Sequence, residues 1–158
     1  MSRFGMAACV AVLLSTPAYS RTTIGVYGNW AAFGDDAPPR CYAITVPAVP
    51  GGGAFASVAN WPTRRVGAQL HLRLYRDARP GSAILLNVDG QVFQLVGRGA
   101  DAWARNGTTD RAIVAAMRTG VSMSVSARDR TGNGFTHVYE LNGAASAIDA
   151  AALACARR

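Results

Sequence analysis

Arginine, histidine and aromatic side chains crowd into one stretch of the chain, from Trp61 to Arg79. Within it Arg64, Arg65, His71, Arg73, Tyr75, Arg76 and Arg79 are candidate ligand-binding residues. His71, Arg73 and Tyr75 fall at alternate positions, so on a strand they share one face, with the four other arginines at its two ends. A guanidinium presents a planar fork of donors to an anion, and an aromatic ring adds a flat apolar face. Together they suit an anionic or sugar-like ligand. The same residues would equally serve as a solvated outer sheet face whose charges protect an edge.

Signals for catalysis are weaker. His71 and His137 are the two histidines, so a hydrolase built on this chain would use one of them as general base. His137 alternates with Phe135, Tyr139 and Leu141, which predicts a packed, hydrogen-bonded ring rather than a reactive one. The sequence lacks the Gly-x-Ser-x-Gly turn of a serine hydrolase. Its acids sit mostly in turns (Asp35, Asp36, Asp77, Asp89, Asp129), where they bond their own backbone. Gly51-Gly52-Gly53 has no following Lys, so it is no phosphate loop. Neither Cys-x-x-Cys nor His-x-x-x-His occurs, so no metal site is assigned. No catalytic residue and no cofactor is expected.

The elements that must carry these residues read as strands. Gln69 to Tyr75 alternates most clearly, with Leu70, Leu72 and Leu74 turned inward. Ala83–Val88 and Gln91–Val96 flank Asp89-Gly90, which predicts a tight hairpin, because a type I′ turn needs positive φ at both central residues. Thr23–Phe33 reads as one irregular first strand, Arg40–Val46 as the second and Ala54–Trp61 as the third, stopped by Pro62. Val121–Ala127 and Phe135–Leu141 complete the set. Asp110–Arg118 has helical spacing, with Thr108 or Thr109 available to cap it and Gly120 to end it. A last helix is expected from about Ala144 to Ala156, with Ser146 and Asp149 as a possible capping box. Seven or eight strands and two short helices predict a mainly β fold, an antiparallel β-sandwich or partly closed barrel.

The first twenty residues have the form of a secretory signal peptide: Arg3, an apolar run from Met6 to Leu14, and small residues before a cut after Ser20. That run is shorter than the roughly 20 residues a bilayer requires, so no transmembrane anchor is expected after cleavage. Residues 21–158 are then a single β-rich domain in the periplasm or outside the cell. Of the 158 residues sixteen are basic, and all sixteen are arginine; the net charge is +7. Without Arg3 it is 15 − 9 = +6. A basic exported protein is drawn to anionic envelope surfaces, and export removes intracellular nucleic acid from the list of partners. Cys9 falls within the signal. Cys41 and Cys155 remain, and two cysteines in an oxidising compartment are expected to pair. A thiol nucleophile or a metal ligand is the alternative.

Several local patterns resemble the invasion-associated locus B family. They are Ala112–Val125 (AIVAAMRTGVSMSV), then Tyr139-Glu140-Leu141-Asn142-Gly143-Ala144 before a small-residue helix. Upstream, Gly28-Asn29-Trp30 precedes Arg40-Cys41-Tyr42, and Asp89-Gly90 precedes Val92-Phe93-Gln94-Leu95. The resemblance implies a secreted or periplasmic β-rich protein of bacteria, linked in some members to host-cell invasion. It brings no catalytic residues. The expectation is a non-enzymatic envelope protein that binds an anionic envelope component or another envelope protein. A small hydrolase acting on envelope polymers is the second reading, and a purely structural domain the third.

Overall fold

The computed structural model describes residues 20–157. The predicted signal peptide lies outside the described residues apart from Ser20. Ten strands follow in order: β1 Arg21–Tyr27, β2 Trp30–Asp36, β3 Pro39–Thr45, β4 Phe55–Trp61, β5 Val66–Arg73, β6 Ile84–Val88, β7 Gln91–Arg98, β8 Asp101–Trp103, β9 Ser122–Arg128 and β10 Gly134–Glu140. Helix α1 (Gly107–Thr119) precedes β9, and α2 (Ala144–Ala156) ends the described chain. The strands form one antiparallel sheet in the order β1-β2-β3-β4-β5-β8-β7-β6-β9-β10, and it is not closed. The mainly β, antiparallel expectation with two helices therefore holds, as a single sheet.

Two strands beyond the eight segments read as strands arise at turns the periodicity hid. Thr23–Phe33 is not one strand. Gly28 takes φ +54° and folds the segment into the β1–β2 hairpin, with Tyr27 paired to Trp30. The three-residue β8 bridges β5 and β7. The Asp89-Gly90 hairpin forms as expected, with φ of +44° and +93° at its two central residues. Asp89 does more than turn the chain: its carboxylate accepts the N–H groups of Val121 and Ser122 and so ties the hairpin to the start of β9.

Alternation decides which face is core. Leu70, Leu72 and Leu74 are buried, as are Met123 and Val125 of β9. Each such side chain contributes about 1.5–3 kcal/mol by leaving water. Helix α1 adds Ile113, Val114 and Met117 from one stripe. Its N-cap is Asn106, whose Oδ1 accepts from Thr109 N–H, so the cap lies ahead of the two threonines proposed for it. Gly120 does end it. Asp110 reaches out of the first turn to accept the Leu70 N–H at 2.8 Å. Burial raises its carboxyl pKa, partly offset by that bond. Helix α2 starts from Gly143 without a side-chain cap, so the Ser146–Asp149 box does not form.

His137 is buried in an aromatic nest of Tyr75, Phe135 and Tyr139. Its Nε2 accepts the Tyr75 N–H at 3.3 Å. Desolvation lowers its pKa, because burial disfavours the charged ring. The unfolded chain, with an ordinary value of about 6.5, then binds the proton more readily than the fold does. Stability from this site is complete above that value and is lost as the pH falls from it to the lower folded value. Thermal melts between pH 7.5 and 5 should show that loss, and His137→Phe should flatten it; an unchanged profile in the variant would assign the loss to other groups.

Candidate functional site

The outer face of β3, β4, β5 and β8 is a trough, and the strand register explains its shape. Tyr42 lies across from Ala59, and Ala59 from Gln69. One step along, Ile44 lies across from Ser57, Ser57 from His71, and His71 from Trp103. The two small residues of β4 therefore run between bulky neighbours on both sides, which leaves a floor lower than its walls. Trp61 stands at one end of β4 and Phe55 at the other. The resulting cavity holds about 580 Å³ and is also lined by Arg21, Arg40 and Arg64. That volume lies within the range of small-ligand sites, roughly 300–1,000 Å³.

Charge is concentrated at the Trp61 end. Arg40 lies over the Tyr42 ring at 4.6 Å and the Trp61 ring at 5.4 Å, and Arg64 lies over Trp61 at 4.8 Å. Arg21 is 5.8 Å from the Tyr42 centroid. Asp35 braces this group, accepting from Arg21 at 2.9 Å and from Arg40 at 2.8 Å. Burial pushes the Asp35 carboxyl up, but its bonds to Arg21 and Arg40 and their charges outweigh that and hold it below the usual carboxylate range. Burial raises the Tyr42 phenol, with Asp35 adding to the effect. Three guanidinium groups facing one carboxylate leave an excess of positive charge, and no acid among the described residues pairs with Arg64.

The other end is a stack of rings. His71 lies parallel to Trp103, centroids 5.3 Å apart, and meets the edge of Phe55 at 5.2 Å. Its Nε2 bonds Asp101 Oδ1 at 2.8 Å, and Asp101 also takes Arg73 at 2.6 Å. Ser57 Oγ donates to the His71 main-chain carbonyl at 3.4 Å rather than to the ring. Between the two ends, Trp61 Nε1 donates to Gln69 Oε1 at 3.1 Å, which leaves the Gln69 NH2 group for other acceptors.

The structure separates the seven residues named from the sequence. Arg64 and His71 line the trough. Arg73 neighbours it through Asp101. Arg65 is exposed in the left-handed residue that closes a short turn after Pro62. Tyr75 leaves the strand face and packs edge-on to Phe135 and His137. Arg76 lies over Tyr75 and bonds Asp129 at 2.9 Å. The Asp129 carboxyl is held down to about 2, first by the Thr131 hydroxyl, then by Arg76 and two main-chain N–H groups, against a burial effect. Arg79 is exposed in the following turn. Arg40, Tyr42 and Ser57, which also line the trough, come from segments read only as strands, and Arg21 and Trp103 from positions assigned to no element. The alternation of Arg40, Tyr42 and Ile44 was a usable signal, but only the register shows that they face Trp61 and Ser57.

Cys41 and Cys155 form the expected disulfide, which joins β3 to α2 behind the trough. Among the described residues no helix is long and apolar enough to cross a membrane. Both features are compatible with export. Also among the described residues, no cluster of three or more potential metal ligands occurs.

No protein-family profile matches the chain, and no curated protein does. Among solved structures, the crystal structure of invasion associated protein B from Bartonella henselae is similar, with a TM-score of 0.60 and 17% identity. The similarity covers 87% of this chain and 99% of that one. At this identity it shows a shared fold, in agreement with the fold the sequence motifs implied.

Proposed function

We propose that this chain is an exported envelope protein of the invasion-associated locus B type, non-enzymatic, which binds an anionic envelope component through the outer face of β3–β5. The observation that carries this reading is the grouping of Arg21, Arg40 and Arg64 over Tyr42 and Trp61, against the single carboxylate of Asp35. Aromatic faces hold the guanidinium groups in place while their donors stay available to an anion. Export is supported by the signal-like leader in the sequence and by the disulfide.

The test is cosedimentation with lipopolysaccharide and with phosphatidylglycerol vesicles. Replacing Arg21, Arg40 and Arg64 by Gln should weaken binding to at least one of them by about tenfold at low salt, and the wild-type interaction should weaken as salt rises. Equal binding by wild type and variant overturns the assignment of this face.

The second reading, a hydrolase, draws on the His71–Asp101 pair at the edge of a concave site with Ser57 close by. The Ser57 bond to a main-chain carbonyl, rather than to the imidazole, favours binding over a nucleophile–base relay. Release of soluble fragments from isolated envelope polymers, lost in His71→Gln, would replace the binding reading with the hydrolytic one.

A further inference from the structure

We infer that the trough takes a short acidic sugar chain, with its anionic group among Arg40, Arg64 and Arg21 and its uncharged rings lying towards Trp103. This deepens the reading above and rests on it, because it uses the same face. The two ends of the trough differ chemically. The arginines that line it gather near Trp61, whereas the Phe55–His71–Trp103 end has no arginine in its lining. At about 3.3 Å per residue, Trp61 and Ser57 stand roughly 13 Å apart along β4. A ligand that meets both ends is therefore longer than a single small anion. It needs a charge at one end and a flat or ring-shaped body at the other.

The floor then decides between a sugar and a lipid. Gln69, with its NH2 group unbonded, lines the middle of the trough, while Ser57 Oγ, which donates to the His71 carbonyl, and the His71 ring, which bonds Asp101, lie towards the Trp103 end. An acyl chain laid there would bury the Gln69 NH2 donors and the unused lone pair of Ser57 Oγ without partners, at about 1–3 kcal/mol for an unmet donor. Sugar hydroxyls donate and accept and would satisfy them. The C–H faces of a pyranose ring pack on indole planes, and Trp103, stacked by one face on His71, walls this end of the trough. The negative charge could be carried by a uronate carboxylate or by a phosphate ester, since a guanidinium fork binds both.

Titration calorimetry with three defined oligosaccharides tests this: maltotetraose with its terminal glucose oxidised to glucuronate, maltotetraose carrying one 6-phosphate, and plain maltotetraose. Wild type should bind at least one of the two charged chains, at least about tenfold more tightly than the neutral one, the strength expected of one charge-assisted contact. Which charged chain binds names the anion. Ser57→Leu raises the floor without touching an arginine, and Trp103→Ala removes a wall. Each should weaken binding of the charged chain about tenfold or more. Thermal melts confirm that each variant is folded, and the two substitutions lie on different strands, so one misfolded variant leaves the other to decide. Charged chains that bind no better than maltotetraose, or binding that neither variant changes, overturns the inference. If vesicle or lipopolysaccharide binding still depends on the arginines, the wider reading stands. If that dependence also fails, both are lost.

Discussion

Replacing Cys41 and Cys155 together by alanine will lower the stability of the fold by about 4 kcal/mol, close to 15 °C in melting temperature. The two positions are 114 residues apart. Cross-linking so long a loop removes much of the unfolded chain's freedom, worth up to about 4.7 kcal/mol in the chain-entropy account. The local packing makes the bridge matter more. Helix α2 lies across β1–β4, and its buried residues are Ala144, Ala147, Ile148, Ala151 and Cys155. The second hydrophobic cluster consists of Ala32, Cys41, Ala151 and Cys155. Alanines bury little area, so few kilocalories of apolar contact remain on that side once the bridge has gone. Denaturant unfolding checks this. Wild type in reductant should lose the same amount, and the double variant should ignore reductant. A difference below about 1 kcal/mol would mean that small-residue packing alone holds α2.

What the sequence disclosed follows from how local each signal is. The Leu70–Leu72–Leu74 alternation, the Asp89-Gly90 turn and the extent of α2 are properties of neighbouring residues, and all three appear in the structure as read. The Cys41–Cys155 pairing was also legible, because two cysteines allow one bridge. The β1–β2 hairpin was missed because Gly28-Asn29 interrupts an otherwise continuous run of strand-forming residues. The candidate site was half legible. Arg64 and His71 stood out by type, but Ser57 and Ala59 gave no chemical signal. They matter only because the register sets Tyr42 and Ile44 on one side of them and Gln69 and His71 on the other. Tyr75 and Arg76, which continue the strand pattern in sequence, leave its face because β5 ends at Arg73 and the chain turns towards β10. Cross-strand neighbours are non-local, and no periodicity within a single strand reveals them.

Gly143→Ala should cost about 4 kcal/mol, in spite of adding a single methyl group. Gly143 has φ +88°, a conformation that costs an L-residue roughly 1–2 kcal/mol. An added Cβ would also stand 1.8 Å from the Tyr27 carbonyl oxygen and 2.4 Å from its carbon. Both are backbone atoms, so the strain cannot be relieved by rotating a side chain. The β1–β2 turn would have to move away from the β10–α2 connection. Two hydrogen bonds span that contact, Asn29 N–H to Asn142 O at 3.0 Å and Trp30 Nε1–H to Glu140 O at 2.9 Å. Losing them costs about 1 kcal/mol each, more if the buried Trp30 indole is left unpaired. Gly53→Ala is the matched control: Gly53 also has positive φ, at +70°, but nothing lies within 4 Å of its added Cβ. It should cost only the conformational part, about 1 kcal/mol. Equal losses in the two variants would show that the close approach to Tyr27 contributes nothing. The displaced hairpin also carries Arg21 and Asp35, which brace the cationic end of the trough. Gly143→Ala should therefore weaken anion binding from the opposite side of the sheet, and Gly53→Ala should not.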